Sequence, residues 1–249
     1  MKRIVLLLIS SAILFTFAGC NNGGNDDSSD INSEPSSQVS GESSVEEKTK
    51  LESCFGELYD NDEYYISADI SVVSNSSPGD VSRYELKIAA DNRNNRAMLH
   101  MKPSQGDTVH IIIRDGFSYN INDEQGTCSQ QSFTEDVSAF TSSYTTELYL
   151  GITKNLELLK SGTKEVSSEG SGGRKELYYE TYRLSSGEGS GDSISITYYF
   201  DGDIPKQEVM ETAAGRTTFV FKEISTGIKD KTVFDVTAYT DAGSSPDIT

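Results

Sequence analysis

The sequence predicts an α+β fold: a strongly curved antiparallel sheet of about eleven short strands, with an N-terminal helix and a central helical insertion. Three observations predict it. Apolar and polar residues alternate over many short runs, as where Tyr64, Ile66, Ala68, Ile70 and Val72 interleave with Tyr65, Ser67, Asp69 and Ser71. Such a run makes a strand with one buried face. Turn pairs punctuate the runs, above all Asp115-Gly116 between IIIR and FSYNI, a pair suited to the primed turns that match strand twist. Two stretches instead space their apolar residues by three and four, as one face of a helix does. The lack of Trp beside 13 Tyr and 10 Phe suits a β-rich chain with many half-buried positions.

The chain opens with Lys2 and Arg3 before an apolar run from Ile4 to Ala18. That run is short for a membrane span and has the length of a secretory signal core. It ends in Phe17-Ala18-Gly19-Cys20. Small residues before a cysteine resemble the lipobox of bacterial lipoproteins, although Phe17 stands where that family usually has an aliphatic residue. The resemblance implies cleavage after residue 19 and lipidation of Cys20, placing the protein on the extracytoplasmic face of a bacterial cell membrane. Loss of Lys2 and Arg3 with the signal takes the formal charge from −18 to −20. So acidic a surface repels nucleic acid and anionic head groups, leaving the lipid anchor as the expected membrane contact.

Residues 20–43 form the expected tether, rich in Asn, Gly, Asp, Ser and Glu, with too few apolar residues to offset the entropy of ordering. A folded domain is expected over 44–240 and a polar, fraying tail over 241–249. Ser44 and Glu47 have capping-box spacing, and Leu51, Cys54, Phe55 and Leu58 follow at helical spacing, predicting a helix over about 45–59. Strands follow at 64–73 and, after a Ser-Pro-Gly-Asp turn, around Tyr84, Leu86, Ile88 and Ala90. Residues 95–101 and 108–114 pair next, then the Asp115-Gly116 hairpin, then a short strand carrying Cys128.

Ser132 and Glu135 again have capping-box spacing. From Phe133 through Val137, Phe140, Tyr144, Leu148, Ile152 and Leu156 to Leu159 the spacing predicts a helical stripe, broken near Gly151 and closed by Gly162. Strands are expected again at 163–168, 174–184, 192–200, 204–213, 216–224 and 232–239. The Gly-rich stretches at 170–173 and 187–191 read as turns, because neither opens a helix or carries a Gly-Lys-Ser/Thr ending.

With Cys20 assigned to lipid, Cys54 and Cys128 are an expected disulfide outside the cytoplasm. A hairpin symmetric about Gln105 sets His100 against His110, with Met98 and Ile112 on the same face. Two imidazoles can share a metal or respond to pH, but no third ligand is evident from the sequence, so no metal and no cofactor are assigned. No nucleophile elbow, Cys-x-x-Cys, His-Glu-x-x-His or EF-hand loop occurs, and a non-catalytic protein is expected.

The segment ITYYFDGDIPKQEVMETAAGRTTFVFKEISTGIKDKTVFDV resembles the C-terminal half of the LolA-like superfamily: a strand, a short turn, Ile204-Pro205 opening the next strand, a turn at Ala214-Gly215, an aromatic strand and a final Phe234. The hairpin at 108–122 is similar to the family's central strands. The likeness covers about residues 45–239 and is nearest to tethered lipoproteins of the LppX/LprG type in Gram-positive bacteria. It implies an open half-barrel wrapped around helices, whose apolar hollow can hold acyl chains. The lining candidates are Ile66, Ile70, Leu86, Ile88, Leu99, Met101, Ile111, Ile113, Ile196, Tyr198, Phe219 and Phe221. The expected function is binding or shuttling of a lipid or acylated ligand. A filled hollow would instead suit an envelope sensor or protein-interaction accessory with an unidentified protein partner, and an extracellular hydrolase is a third, weaker reading.

Overall fold

A computed structural model of the chain describes residues 48–145, 156–167, 174–184 and 194–242. The expected signal, Cys20 and the tether lie outside these residues, as do Leu148 and Ile152 and the Gly-rich stretches at 170–173 and 187–191.

Helix α1 spans Lys50–Asp60. It is followed by strands β1 (Glu63–Ser74), β2 (Ser77–Asp91), β3 (Arg96–Pro103), β4 (Val109–Arg114), β5 (Phe117–Asn122) and β6 (Thr127–Ser132). Helix α2 (Val137–Thr145) precedes β7 (Leu156–Ser167), β8 (Arg174–Leu184), β9 (Ile194–Asp201), β10 (Ile204–Glu211), β11 (Gly215–Ser225) and β12 (Thr240–Asp241). The strands form one twelve-stranded sheet in the order β12-β6-β5-β4-β3-β2-β1-β11-β10-β9-β8-β7. Every pairing is antiparallel except β12 with β6. The first and last strands of that order do not pair, so the sheet is open. Strand β1 is the join, hydrogen-bonded to β2 on one side and to β11 on the other.

Local chemistry sets the element ends. Thr49 accepts the N–H of Glu52 while the Glu52 carboxylate accepts that of Thr49, a capping box that starts the helix at Lys50; the spacing at Ser44–Glu47 lies outside the described residues. At the Asp115-Gly116 hairpin both residues adopt positive φ (54° and 78°), as a primed turn requires. The expected turn at Ser77–Asp80 is displaced: the chain reverses at Asn75-Ser76, and residues 78–80 bulge between the pairs Val73–Val81 and Ser74–Ser77. Pro78 has no N–H to give the ladder, so a bulge there costs little.

Three further expectations are corrected. Residues 156–162 are strand, not the end of a helical stripe. Leu156, Leu158 and Leu159 fit either period over so short a run, and the long ladder with β8, adjusted by a bulge between Leu158 and Lys160, decides for strand. Ser132 ends β6 rather than capping a helix; Asp136 accepts the N–H of Ser138 and Asn95 that of Val137 to start α2. Residues 232–239 are not a strand, because Asp230 caps a 3₁₀ turn at Lys231–Phe234 and Asp235 accepts the N–H of Thr237. Main-chain pairing runs past the expected domain end, since Ala242 donates to the Cys128 carbonyl.

Candidate functional site

The sheet has two contrasting faces. On the first, side chains form rows across adjacent strands. One row runs Ile224, Ile66, Ile88, Leu99, Ile111, and the next Phe221, Ala68, Leu86, Met101, Val109. Further rows place Ile70 beside Phe219, with Tyr198 two strands on, and Ile196 beside Met210. Every lining candidate therefore lies on one face. All are buried except Ile111, which is half-buried.

Helix α1 packs on this face through Leu51, Phe55 and Leu58, all fully buried. The Phe55 ring lies 5.9 Å from that of Tyr198 and 6.2 Å from that of Phe221. Val137 of α2 packs against Ala97 and Ile113, with Ile111, Phe133 and Phe140 around them. Two acids stand among the apolar rows: Glu180 and Glu208 flank Tyr198 across β8, β9 and β10. The Glu180 carboxylate accepts the N–H groups of Lys50 and Leu51, each at 3.0 Å, and the Tyr182 hydroxyl at 2.8 Å. It thus satisfies main-chain donors that the first turn of α1 leaves without an intrahelical partner, at the positive end of the helix dipole. Neither acid was singled out from sequence, although Glu180 shares strand parity with the apolar Tyr178 and Tyr182, which is the available signal.

On the opposite face, Ala89, Met98, Ile112, Ile121 and Cys128 pack against Ile228 and Phe234 of the C-terminal segment. Arg114 donates to the Phe234 carbonyl at 3.0 Å, and the Arg96 guanidinium lies 4.9 Å from the Phe234 ring centre. A cavity of about 210 Å³ opens beside this cluster, lined by residues including Lys87, His100, His110, Thr232, Asp235 and Tyr239. His100 and His110 are direct cross-strand partners, as the symmetric register requires, with ring centres 5.0 Å apart.

The structure brings to this pair a residue that the sequence did not. Asp123, in the turn after β5, lies 2.9 and 3.1 Å from His110 Nδ1 through its two oxygens and 3.6 Å from His100 Nε2. It also accepts the Tyr239 hydroxyl at 3.2 Å. Burial, and next the charge of His110, push the His100 pKa down. Burial pushes the Asp123 carboxyl up, but hydrogen bonding and charge from His110, with help from His100 and Tyr239, bring it below the usual range. Asp123 escaped notice because an acid in a turn is ordinary, and Tyr239 because its segment reads as a strand.

The expected disulfide is not formed: Cys54 and Cys128 are free thiols. Cys54 donates to the Asp203 carbonyl at 2.8 Å in the β9–β10 turn, whereas Cys128 sits in β6 within the cluster on the opposite face. Burial raises both thiol pKa values, that of Cys54 to about 11. Among the described residues no helix is long and apolar enough to cross a membrane.

An open, almost wholly antiparallel sheet with short helices on its apolar face defines an α+β architecture. No protein-family model matches the chain, and no curated protein matches it. Among solved structures it is similar to LprF from Mycobacterium bovis, at 11% identity over 71% of this chain and 94% of that one, with a TM-score of 0.39. It is similar to the lipoprotein LppX from Mycobacterium tuberculosis, at 11% identity over 72% and 94%, with a TM-score of 0.38. An uncharacterized conserved protein from Thermus thermophilus matches at 9% identity over 71% and 87%, with a TM-score of 0.36. At this level of superposition no residue role transfers to this chain.

Proposed function

We propose that this chain is a lipid-anchored extracytoplasmic binding protein that takes an acyl-chain-bearing ligand on its apolar sheet face, without covalent chemistry. The observation that carries this reading is the pair of adjacent apolar rows, each five strands wide. Strands about 4.8 Å apart make such a row roughly 19 Å long. Among the described residues, the helices on this face are only 11 and 9 residues long. Cys20 supplies the anchor, and residues 20–43 the reach from the membrane. Ligand entry requires α1 to shift, because Phe55 occupies the space above Tyr198 and Phe221. Affinity then comes from apolar burial, at ~0.8 kcal/mol per methylene, so discrimination between neighbouring chain lengths is only about fourfold.

The burial of the lining side chains supports a second reading. If α1 fills the face permanently, the chain is an envelope sensor or protein-interaction accessory. Titration of a Cys20→Ser chain with fluorescent fatty acids of increasing length separates the two. The binding reading expects saturable one-to-one uptake that tightens with each methylene; a flat titration at every length favours the filled face.

A further inference from the structure

We propose that His100, His110 and Asp123 form a binding site for one divalent transition-metal ion. One ligand atom from each residue can be chosen so that all three lie within 4.8 Å of one another. The three residues come from β3, β4 and the turn after β5, so folding brings together donors separated along the chain. Two imidazole nitrogens and a carboxylate oxygen suit zinc and its first-row neighbours, and three protein ligands with an open position define the exchangeable kind of zinc site. Tetrahedral zinc with bonds of 2.0–2.1 Å needs ligand atoms roughly 3.3 Å apart. His100 Nε2 to Asp123 Oδ2 is 3.6 Å, and His110 Nδ1 lies 2.9 and 3.1 Å from the Asp123 oxygens. The two imidazole donors lie within 4.8 Å of each other, side-chain rotation brings all three donors onto the ion, and the ion takes the place of the proton that His110 shares with Asp123.

The surroundings hold the donors in place. The histidines are fixed by the flanking pairs Leu99–Ile111 and Met101–Val109. Tyr239 donates to Asp123 Oδ1 at 3.2 Å, the outer contact that orients a ligating carboxylate. Both imidazoles line the cavity of about 210 Å³, which leaves room for a further ligand at the open position. Lys87 lines the same cavity, and its charge is countered by Glu85 at 2.9 Å.

The test is calorimetric titration of zinc into the full chain carrying Cys20→Ser, beside Asp123→Asn, His110→Gln and the neighbouring control Glu124→Gln. Thermal unfolding without metal checks the fold of each. The proposal expects one equivalent of zinc bound and a zinc-dependent rise in Tm. Asp123→Asn and His110→Gln should each weaken binding at least tenfold, whereas Glu124→Gln leaves it unchanged. The turn position of Asp123 makes Asp123→Asn the decisive variant should His110→Gln fail to fold. Absence of stoichiometric binding, unchanged affinity in Asp123→Asn, or an equal loss in Glu124→Gln overturns the proposal, the last by assigning zinc to the acidic surface at large.

Discussion

Glu180 on β8 accepts the backbone N–H of Leu51 at 3.0 Å, so a buried carboxylate on the sheet holds the first turn of the helix that covers it. The same carboxylate accepts from Lys50 and Tyr182. Glu180→Ala leaves these donors buried and unpaired and should destabilise the fold by about 3 kcal/mol. Thr49→Ala, which removes only the capping-box hydroxyl, should cost about 1 kcal/mol. Urea unfolding of the two variants checks the order; equal losses would show that Glu180 does not carry the helix.

Asp91 gives the fold a pH dependence. Its side chain is fully buried, which alone raises its pKa, but hydrogen bonds from Arg96 and Asn94 more than offset this and hold the carboxyl below the usual range. A folded pKa below the unfolded value of about 3.9 stabilises the protein above that pH. The contribution is lost as pH falls through the depressed folded value. Asp91→Asn should therefore be clearly less stable than the parent at pH 7, with the gap narrowing below about pH 4. A gap that is constant from pH 7 to pH 2 contradicts the pairing.

Gly215 begins β11 where a side chain has no room: a Cβ there would lie 2.2 Å from the Val73 carbonyl oxygen. Gly215→Ala must push β11 away from β1 at the join of the sheet and should cost about 1–3 kcal/mol. At Gly227 a Cβ meets nothing within 4 Å, so Gly227→Ala should lie within about 0.5 kcal/mol of the parent. Chemical-denaturation midpoints distinguish the two.

The thiols make a further prediction. With Cys54 raised to about 11 and Cys128 also raised, neither is appreciably thiolate at pH 7.5, so native alkylation should be slow. Iodoacetamide added in denaturant without reductant should modify both fully in a Cys20→Ser chain, as read by intact mass. Protection until a reductant is added would restore the disulfide.

The sequence made some of this fold and site legible and concealed the rest for physical reasons. Strand alternation and the Asp115-Gly116 turn are local signals that located that hairpin, and symmetry about Gln105 placed the His100–His110 register. Asp123 joins the histidines only through the pairing of β4 with β5, a tertiary fact without local pattern. Leu156–Leu159 fit either period and were settled by distant partners on β8. At 232–239 the side chains of Asp230 and Asp235 fold the backbone locally and override an apolar alternation that reads as strand. The two cysteines gave no geometric signal, because sequence counts thiols without showing that Cys54 lies on α1 against the β9–β10 turn while Cys128 lies in the cluster on the opposite sheet face.

The most direct test of ligand binding is native mass spectrometry, with organic extraction, on the mature chain purified from the envelope of its own kind of host in mild detergent. A lipid on Cys20 would be covalent and a ligand on the sheet face would not, so denaturing and native masses separate them. Binding on the apolar face predicts a stoichiometric acyl-bearing species present in the native mass, lost on denaturation and recovered in the organic extract. A native mass equal to the denatured one, unchanged after incubation with lipids, would contradict it.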